Sequence, residues 1–313
     1  MTVLSAEESQ MSKAMPQFDT ERAWGHFAPR GWRRWLIGLC RRLDPDRPWL
    51  YRVSLWLRSP VKHRSSLPMD VVTWGLRMRL LPRGNTSEIR LLFTPRWFDR
   101  EELKWLALRL DAGATFVDIG ANAGAYSFFV RSRFGAGVRI LAVEPDPEMR
   151  RRIAYNMASN GIANIEVCPV ALSDRRGEAL LELHEGQRGQ NTLVEASAAG
   201  RSMLAVPVDT LANLLAERGV TRVDALKIDI EGHEPRVLGH FFRHAAPTLW
   251  PRALLTEFKA DTGPEILRIL QAAGYRRTRI TRLNWLFERT ADGAGGSLAP
   301  AFGDPLHRQD ELA

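Results

Sequence analysis

The stretch Thr115-Phe-Val-Asp-Ile-Gly-Ala-Asn-Ala-Gly124 decides how the chain is read. Phe116, Val117 and Ile119 form a short apolar run of the kind found in strands covered on both faces. Gly120 and Gly124 let the backbone turn tightly and approach a ligand closely. Tyr126, Phe129 and Val130 then keep helical spacing. A strand, a glycine turn and a helix start make a nucleotide-cofactor site in an open α/β sheet.

A dinucleotide site would read G-x-G-x-x-G. Here an acid, Asp118, precedes Gly120, Asn122 and Gly124. That pattern suits a cofactor with no pyrophosphate to cradle and with an ammonium and a sulfonium to attract. It resembles motif I of Rossmann-like methyltransferases that use S-adenosylmethionine. The next strand, Val138–Val143, ends in Glu144, an acid placed to accept both hydroxyls of a ribose. NAD sites use the same device, so the glycine pattern, and not Glu144, separates the two cofactors.

The 313 residues are 45% hydrophobic and 26% charged, enough to bury a real core. Cys40 and Cys168 are the only cysteines, which excludes a disulfide framework or a zinc cluster and fits a reducing compartment. The N-terminus lacks the basic-then-apolar order of a signal peptide. No apolar run reaches the roughly 18 residues of a membrane span. A cytoplasmic location is expected. The net charge of +8 sits at one end, since the first 100 residues hold 18 Lys and Arg against 9 Asp and Glu. Eight of the ten tryptophans precede residue 106. The two parts of the chain therefore meet different partners.

The expected organisation is a disordered start (1–20), a basic, Trp-rich extension (21–110), a Rossmann-like domain (111–290) and a disordered tail (291–313). In the extension, Trp32, Trp35, Leu36, Leu39 and Cys40 fall on one stripe of a predicted helix, bordered by arginines. A second stretch, with Trp49, Val53, Trp56 and Leu57, should end before Ser59-Pro60. Such faces either pack on the catalytic domain, the commoner use, or lie in a bilayer interface, a peripheral membrane contact through residues 31–58 at the inner face of the membrane. No nucleic-acid module accompanies the charge, so nucleic acid is not an expected partner. Val71–Leu80 reads as a strand, with Glu88–Phe93 returning beside it as a hairpin. Asp99 should cap a helix running to Leu110. From residue 114 strands and helices alternate, which implies a mostly parallel sheet with helices on both faces.

Four segments together resemble the FkbM family of methyltransferases: Phe116–Gly124, Val143-Glu-Pro-Asp146, Ala171-Leu-Ser-Asp174 with Gly177, and Leu226-Lys-Ile-Asp-Ile-Glu-Gly-His-Glu234. The resemblance spans roughly residues 90–290. It implies S-adenosylmethionine as cofactor, with Asp118, Gly120, Asn122 and Gly124 around its methionine part. It places Glu144 on the ribose, and Ser173 and Asp174 near the adenine. Asn191 and Thr192 fall where the family carries a small polar segment close to the site. The family's members mostly methylate hydroxyl groups, so the implied acceptor is a small molecule or glycan: a sugar, a glycolipid or a related metabolite.

Ligands in such sheets sit at the carboxyl ends of the strands. Asp229 ends a predicted strand, and Glu231, His233 and Glu234 follow at once. An alcohol acceptor must lose a proton, and Asp229, Glu231 and His233 are all candidate bases. Asp229 and Glu257 together could hold Mg²⁺, but no dense ligand cluster supports it and no metal is expected. Two alternatives stay open: an NAD(P)-dependent oxidoreductase, which the glycine pattern disfavours, and an inactive membrane-surface binding protein.

Overall fold

Two helices, α1 (Gly31–Arg42) and α2 (Trp49–Arg64), lead into the strands β1 (Met69–Thr73) and β2 (Leu76–Leu80). The computed structural model describes residues 17–184, 191–194 and 202–290. Trp74 (φ 53°) and Gly75 (φ 80°) form the two-residue turn between β1 and β2. Both residues adopt the left-handed conformation that the twist of a tight hairpin requires. The hairpin thus closes within 69–80, and the expected returning strand at 88–93 is instead the helix α3 (Thr86–Phe93). Its cause was present in the sequence. Asn85 Oδ1 accepts from Glu88 N (3.2 Å), an N-cap with an acid three residues on.

Helix α2 does not stop before Ser59-Pro60 but carries Pro60 inside it. Leu57 and Val61, four apart on one face, are both buried, and their packing outweighs the cost of a proline. On α1 the buried residues are Ile37 and Cys40, with Leu36 and Leu39 partly covered; Trp32 and Trp35, expected on the packed stripe, are exposed.

The chain continues through α4 (Arg100–Ala107), β3 (Thr115–Ile119), α5 (Ala125–Phe134), β4 (Arg139–Val143), α6 (Pro147–Ala158) and β5 (Ile165–Cys168). A four-stranded side sheet follows from β6 (Ala171–Leu172), β7 (Gly177–Leu183), β8 (Thr192–Val194) and β9 (Ser202–Asp209). Then come α7 (Leu211–Glu217), β10 (Ala225–Ile228), α8 (Glu234–His244), β11 (Ala253–Glu257), α9 (Gly263–Ala272), β12 (Tyr275–Ile280) and β13 (Asn284–Arg289). The main sheet has the order β12-β13-β11-β10-β3-β4-β5. Its five strands from β11 to β5 are parallel, and β13 runs antiparallel to both β11 and β12. The chain leaves β3 toward β4 on one side and returns to β10 on the other. The crevice above β3 and β10 is therefore the switch point where such sheets bind ligands.

Strand β3 alternates between two cores. Phe116 packs with Phe128, Ile140 and Ile153, while Val117 and Ile119 pack with Leu238, Phe241 and Leu254. The first core also takes in Ile37, Cys40, Met78, Leu91 and Phe93, so the extension closes one face of the sheet and shares its hydrophobic core. Phe18, inside the stretch 1–20 expected to be disordered, is instead buried, edge-on to Tyr155. The expectations for 1–16, for the loop at 186–190 and for the tail from 291 lie outside the described residues.

Arg79 is the polar centre of the extension. It is fully buried and bonded to Asp70 through Nε (2.7 Å) and Nη2 (2.9 Å). Its guanidinium also donates to the carbonyls of Asp19, Arg22 and Ala23, and it lies over the rings of Phe27 and Tyr155. Asp70 in turn accepts from Gly25 N and Phe27 N. Asp70→Ala leaves a buried guanidinium without its bidentate partner, with only the looser pair to Asp19 (3.5 Å) remaining. The expected loss is about 3–5 kcal/mol, read by chemical denaturation. Proteolysis should then open the 17–30 segment first.

Candidate active site

The turn after β3 is built against the turn after β10. Gly120 (φ +72°) leaves no room for a side chain, since a Cβ there would lie 2.0 Å from the carbonyl oxygen of Asp229. Lys227 Nζ donates to the Gly120 carbonyl (3.0 Å) and lies 3.4 Å from Asp229 Oδ2. Burial works against this ammonium, but Asp229 and Asp118 outweigh it and raise its pKa, so Lys227 is a fixed cation. Asp118 does not reach the cleft. It is buried behind the turn, accepting from Ser127 N (3.1 Å) and Oγ (2.7 Å).

A cleft with about 870 Å³ of empty space, counted out to its mouth, opens above this junction. Gly120, Ala121 and Asn122 form its floor beside Glu144, Lys227, Asp229 and Glu231. Val143, Val170, Leu172, Leu181 and Leu193 form an apolar wall, the last three contributed by the side sheet. A polar floor facing an apolar wall suits a ligand with a flat base and a polar sugar.

Glu144 is held rigidly. Its Oε2 accepts from Asn122 N (2.6 Å) and its Oε1 from Asp146 N (2.9 Å). Burial pushes its pKa up to about 7 despite these two donors. Asn122 (φ 53°) accepts from Asn85 Nδ2 through Oδ1 (2.5 Å). The extension thereby braces the glycine turn directly.

The second group of acids sits past β10. Asp229, Glu231 and Glu257 bring one carboxylate oxygen each within 4.8 Å of one another. Glu231 thus joins the two acids considered for a metal, but Lys259 already bridges the group, paired with Glu231 and 3.4 Å from Glu257. Burial and then the Asp229 charge push Glu257 up to about 7. Glu231 lies in a left-handed turn just past β10. Its φ is +55°, and Glu234 clamps the turn by accepting from Ile230 N (2.8 Å) and Gly232 N (3.0 Å).

His233 does not join this cluster. It lines a separate groove with Ser173, Arg175, Arg176 and Arg236 on the far side of Leu193. Of the residues assigned to cofactor or chemistry, Gly120, Asn122, Glu144, Asp229 and Glu231 meet in the cleft; Asp118, Gly124, Ser173, Asp174 and His233 do not line it. Gly124 (φ +81°) starts α5, where a Cβ would press on Phe128 and Ile153. Ser173 and Asp174 bond each other (3.1 Å).

The resemblance placed Asn191 close to the site, but sequence reasoning assigned no site role to Lys227, Asp99 or Tyr126. Asn191 lines the cleft and donates to Asp146 Oδ2 (3.0 Å). Asp99 also lines it: φ is +36°, the side chain makes no cap bond to α4, and Oδ2 accepts from the Tyr126 hydroxyl (3.0 Å). Burial and Asp99 raise the Tyr126 pKa well above normal, which keeps its hydroxyl a donor. An acid immediately before a helix reads first as a cap, and only its left-handed backbone aims it here.

The family model of the methyltransferase FkbM domain matches residues 118–277, half of the chain. The chain belongs to the FkbM methyltransferase family. It is 27% identical to methyltransferase sdnD of Sordaria araneosa, covering 56% of this chain and 78% of that one. It is 26% identical to 31-O-demethyl-FK506 methyltransferase FkbM of Streptomyces tacrolimicus, covering 50% and 73%. Among solved structures, a SAM-dependent O-methyltransferase of Thermotoga maritima shares 13% identity over 60% of this chain and 64% of that one, with a TM-score of 0.38.

The methyl donor of this methyltransferase is S-adenosylmethionine, and the cleft fits it. A rigid acid beside an apolar wall suits a ribose next to a flat base. Asp229 beside a glycine turn suits the cationic end. A dinucleotide oxidoreductase is thereby set aside. Both Glu144 oxygens already take backbone donors, so a ribose held there, as the resemblance implies, would need the ionised carboxylate. Its raised pKa would then weaken binding as pH falls through about 7. Calorimetry should find affinity about tenfold lower at pH 6 than at pH 8, and Glu144→Gln should bind weakly with a flat pH profile.

Proposed function

We propose that this methyltransferase transfers its methyl group to a hydroxyl oxygen of a sugar, glycolipid or related small metabolite. The observation that carries this reading is the acid cluster Asp229, Glu231 and Glu257 at the carboxyl edge of β10 and β11, beside the cleft. A bound cofactor supplies an already activated methyl, so the chain's own work is to hold the acceptor in line and take its proton. The Streptomyces relative is by name a 31-O-demethyl-FK506 methyltransferase, which favours oxygen over nitrogen or carbon as the acceptor atom here. A peripheral membrane contact through residues 31–58 belongs to the same reading, supported by the tryptophans exposed there.

Two of the acids lining the cleft, Asp229 and Glu231, divide by their neighbours. Asp229 is tied through Lys227 to the glycine turn, and we assign it to the cofactor's cationic end. Glu231 is tied to Lys259 and stands beside Glu257, and we assign it as the base. Glu257, poised near neutrality, takes the proton onward. His233 has no part in it.

Incubation with labelled cofactor and a panel of polyols, sugars and glycolipids tests the assignment. Label should enter a hydroxyl as a base-stable ether. Glu231→Gln should lower kcat by about 10²–10⁴-fold with S-adenosylhomocysteine affinity within about threefold. Asp229→Asn should weaken that affinity. Transfer to an amine alone, or full turnover by Glu231→Gln, would discard the reading.

A further inference from the structure

The exposed tryptophans sit on two consecutive helices that touch each other. Trp32 (46% exposed) and Trp35 (66%) are on α1, and Trp49 (61%) and Trp56 (76%) are on α2; no other described tryptophan is exposed. Leu55 and Leu67 beside them are exposed as well. On α1, Trp35 and Arg42 are seven apart and share a stripe; on α2, Trp49, Arg52 and Trp56 do the same. The opposite faces are spent on the core through Ile37, Cys40, Leu57 and Val61. Two amphipathic helices thus pack one side inward and turn an aromatic, cationic side outward.

Charge selects the occupant. Residues 30–64 hold ten Lys and Arg against two Asp, so this hairpin alone carries the net +8 of the whole chain. Its two acids are engaged locally, Asp44 near Arg47 and Asp46 with Arg100. Arg30, Arg34, Arg42, Arg52 and Arg64 are exposed. A second copy of the chain would bring an equally positive face against it. Indole rings beside arginines match the headgroup layer of a bilayer, where an amphipathic ring sits half immersed and anionic lipids neutralise the cations.

We propose that the outer faces of α1 and α2 form a docking surface for an anionic lipid bilayer, with Trp35, Trp49 and Trp56 entering the interface and Arg34, Arg42 and Arg52 meeting the headgroups. The inference rests on the peripheral contact proposed above. Its failure leaves the methyltransferase reading intact, because the assay contains no acceptor.

The test is flotation of the full chain with vesicles of phosphatidylcholine alone and with phosphatidylglycerol added. The chain should float with the anionic vesicles and stay behind with the neutral ones. Trp35→Ser with Trp56→Ser should cut vesicle binding by at least about tenfold at unchanged melting temperature and unchanged S-adenosylhomocysteine affinity. Arg34→Glu with Arg52→Glu should do the same. No binding to anionic vesicles, binding that ignores lipid charge, or a Trp-dependent dimer in place of vesicle binding would each overturn it. So would affinity for duplex nucleic acid without affinity for vesicles.

Discussion

The contact between Gly120 and the Asp229 carbonyl governs the site. It can exist only because residue 120 has no Cβ and sits at φ +72°. It brings the turns after β3 and β10 into backbone contact at the sheet's switch point. Lys227 then spans the same junction, bonding one turn through the Gly120 carbonyl and facing the other through Asp229. An apolar side chain at 227 would leave Asp229 without its cation and the Gly120 carbonyl without its donor. The cleft's charge pattern follows from this junction: one buried cation at the base, acids on either side.

The extension is structural before it is anything else. Asn85 caps α3 with one end of its amide and holds Asn122 with the other, so helix capping and shaping of the glycine turn are one act. Asp99 enters the cleft from the same direction. Arg152 on α6 pairs with the buried Glu88 of α3, tying extension and sheet again. Removing the extension would therefore strip one hydrophobic face from the sheet and one wall from the site. That is why its surface must be probed by substitution in the full chain and not by truncation.

Much of the sheet was legible, because short apolar strands alternating with capped helices leave few arrangements. Asp118, Gly120 and Glu144 stood out because their chemistry is tied to fixed places on two adjacent strands. What was not legible is instructive. The α3 helix was read as a strand, since its apolar run obeys both periods and only Asn85 and Glu88 distinguish them. Pro60 was read as a stop, since local cost was visible while the burial of Leu57 and Val61 was not. His233 was grouped with Asp229 and Glu231 by closeness in sequence. The left-handed residues Glu231 and Gly232 (φ +55° and +105°) turn the chain between them, so neighbours in sequence face different clefts. Asp99 escaped for the same kind of reason.

Two carboxyl groups near the chemistry, Glu144 and Glu257, are both pushed to about 7, chiefly by burial, but they have different company. Glu144 has backbone donors on both oxygens and no ion pair among the described residues, so a cationic cofactor arriving nearby would favour its charged form. Glu257 has Lys259 on one side and Asp229 on the other, so its charge depends on theirs. On the proposed placement, a cofactor beside Asp229 would screen that repulsion and favour an ionised Glu257 as well. The proton-accepting capacity of the acid cluster is then greatest when the donor is already in place. On the proposed assignment an acceptor hydroxyl would meet this cluster in its ionised form once the cofactor is loaded, which would couple proton removal to the presence of the methyl group that replaces it.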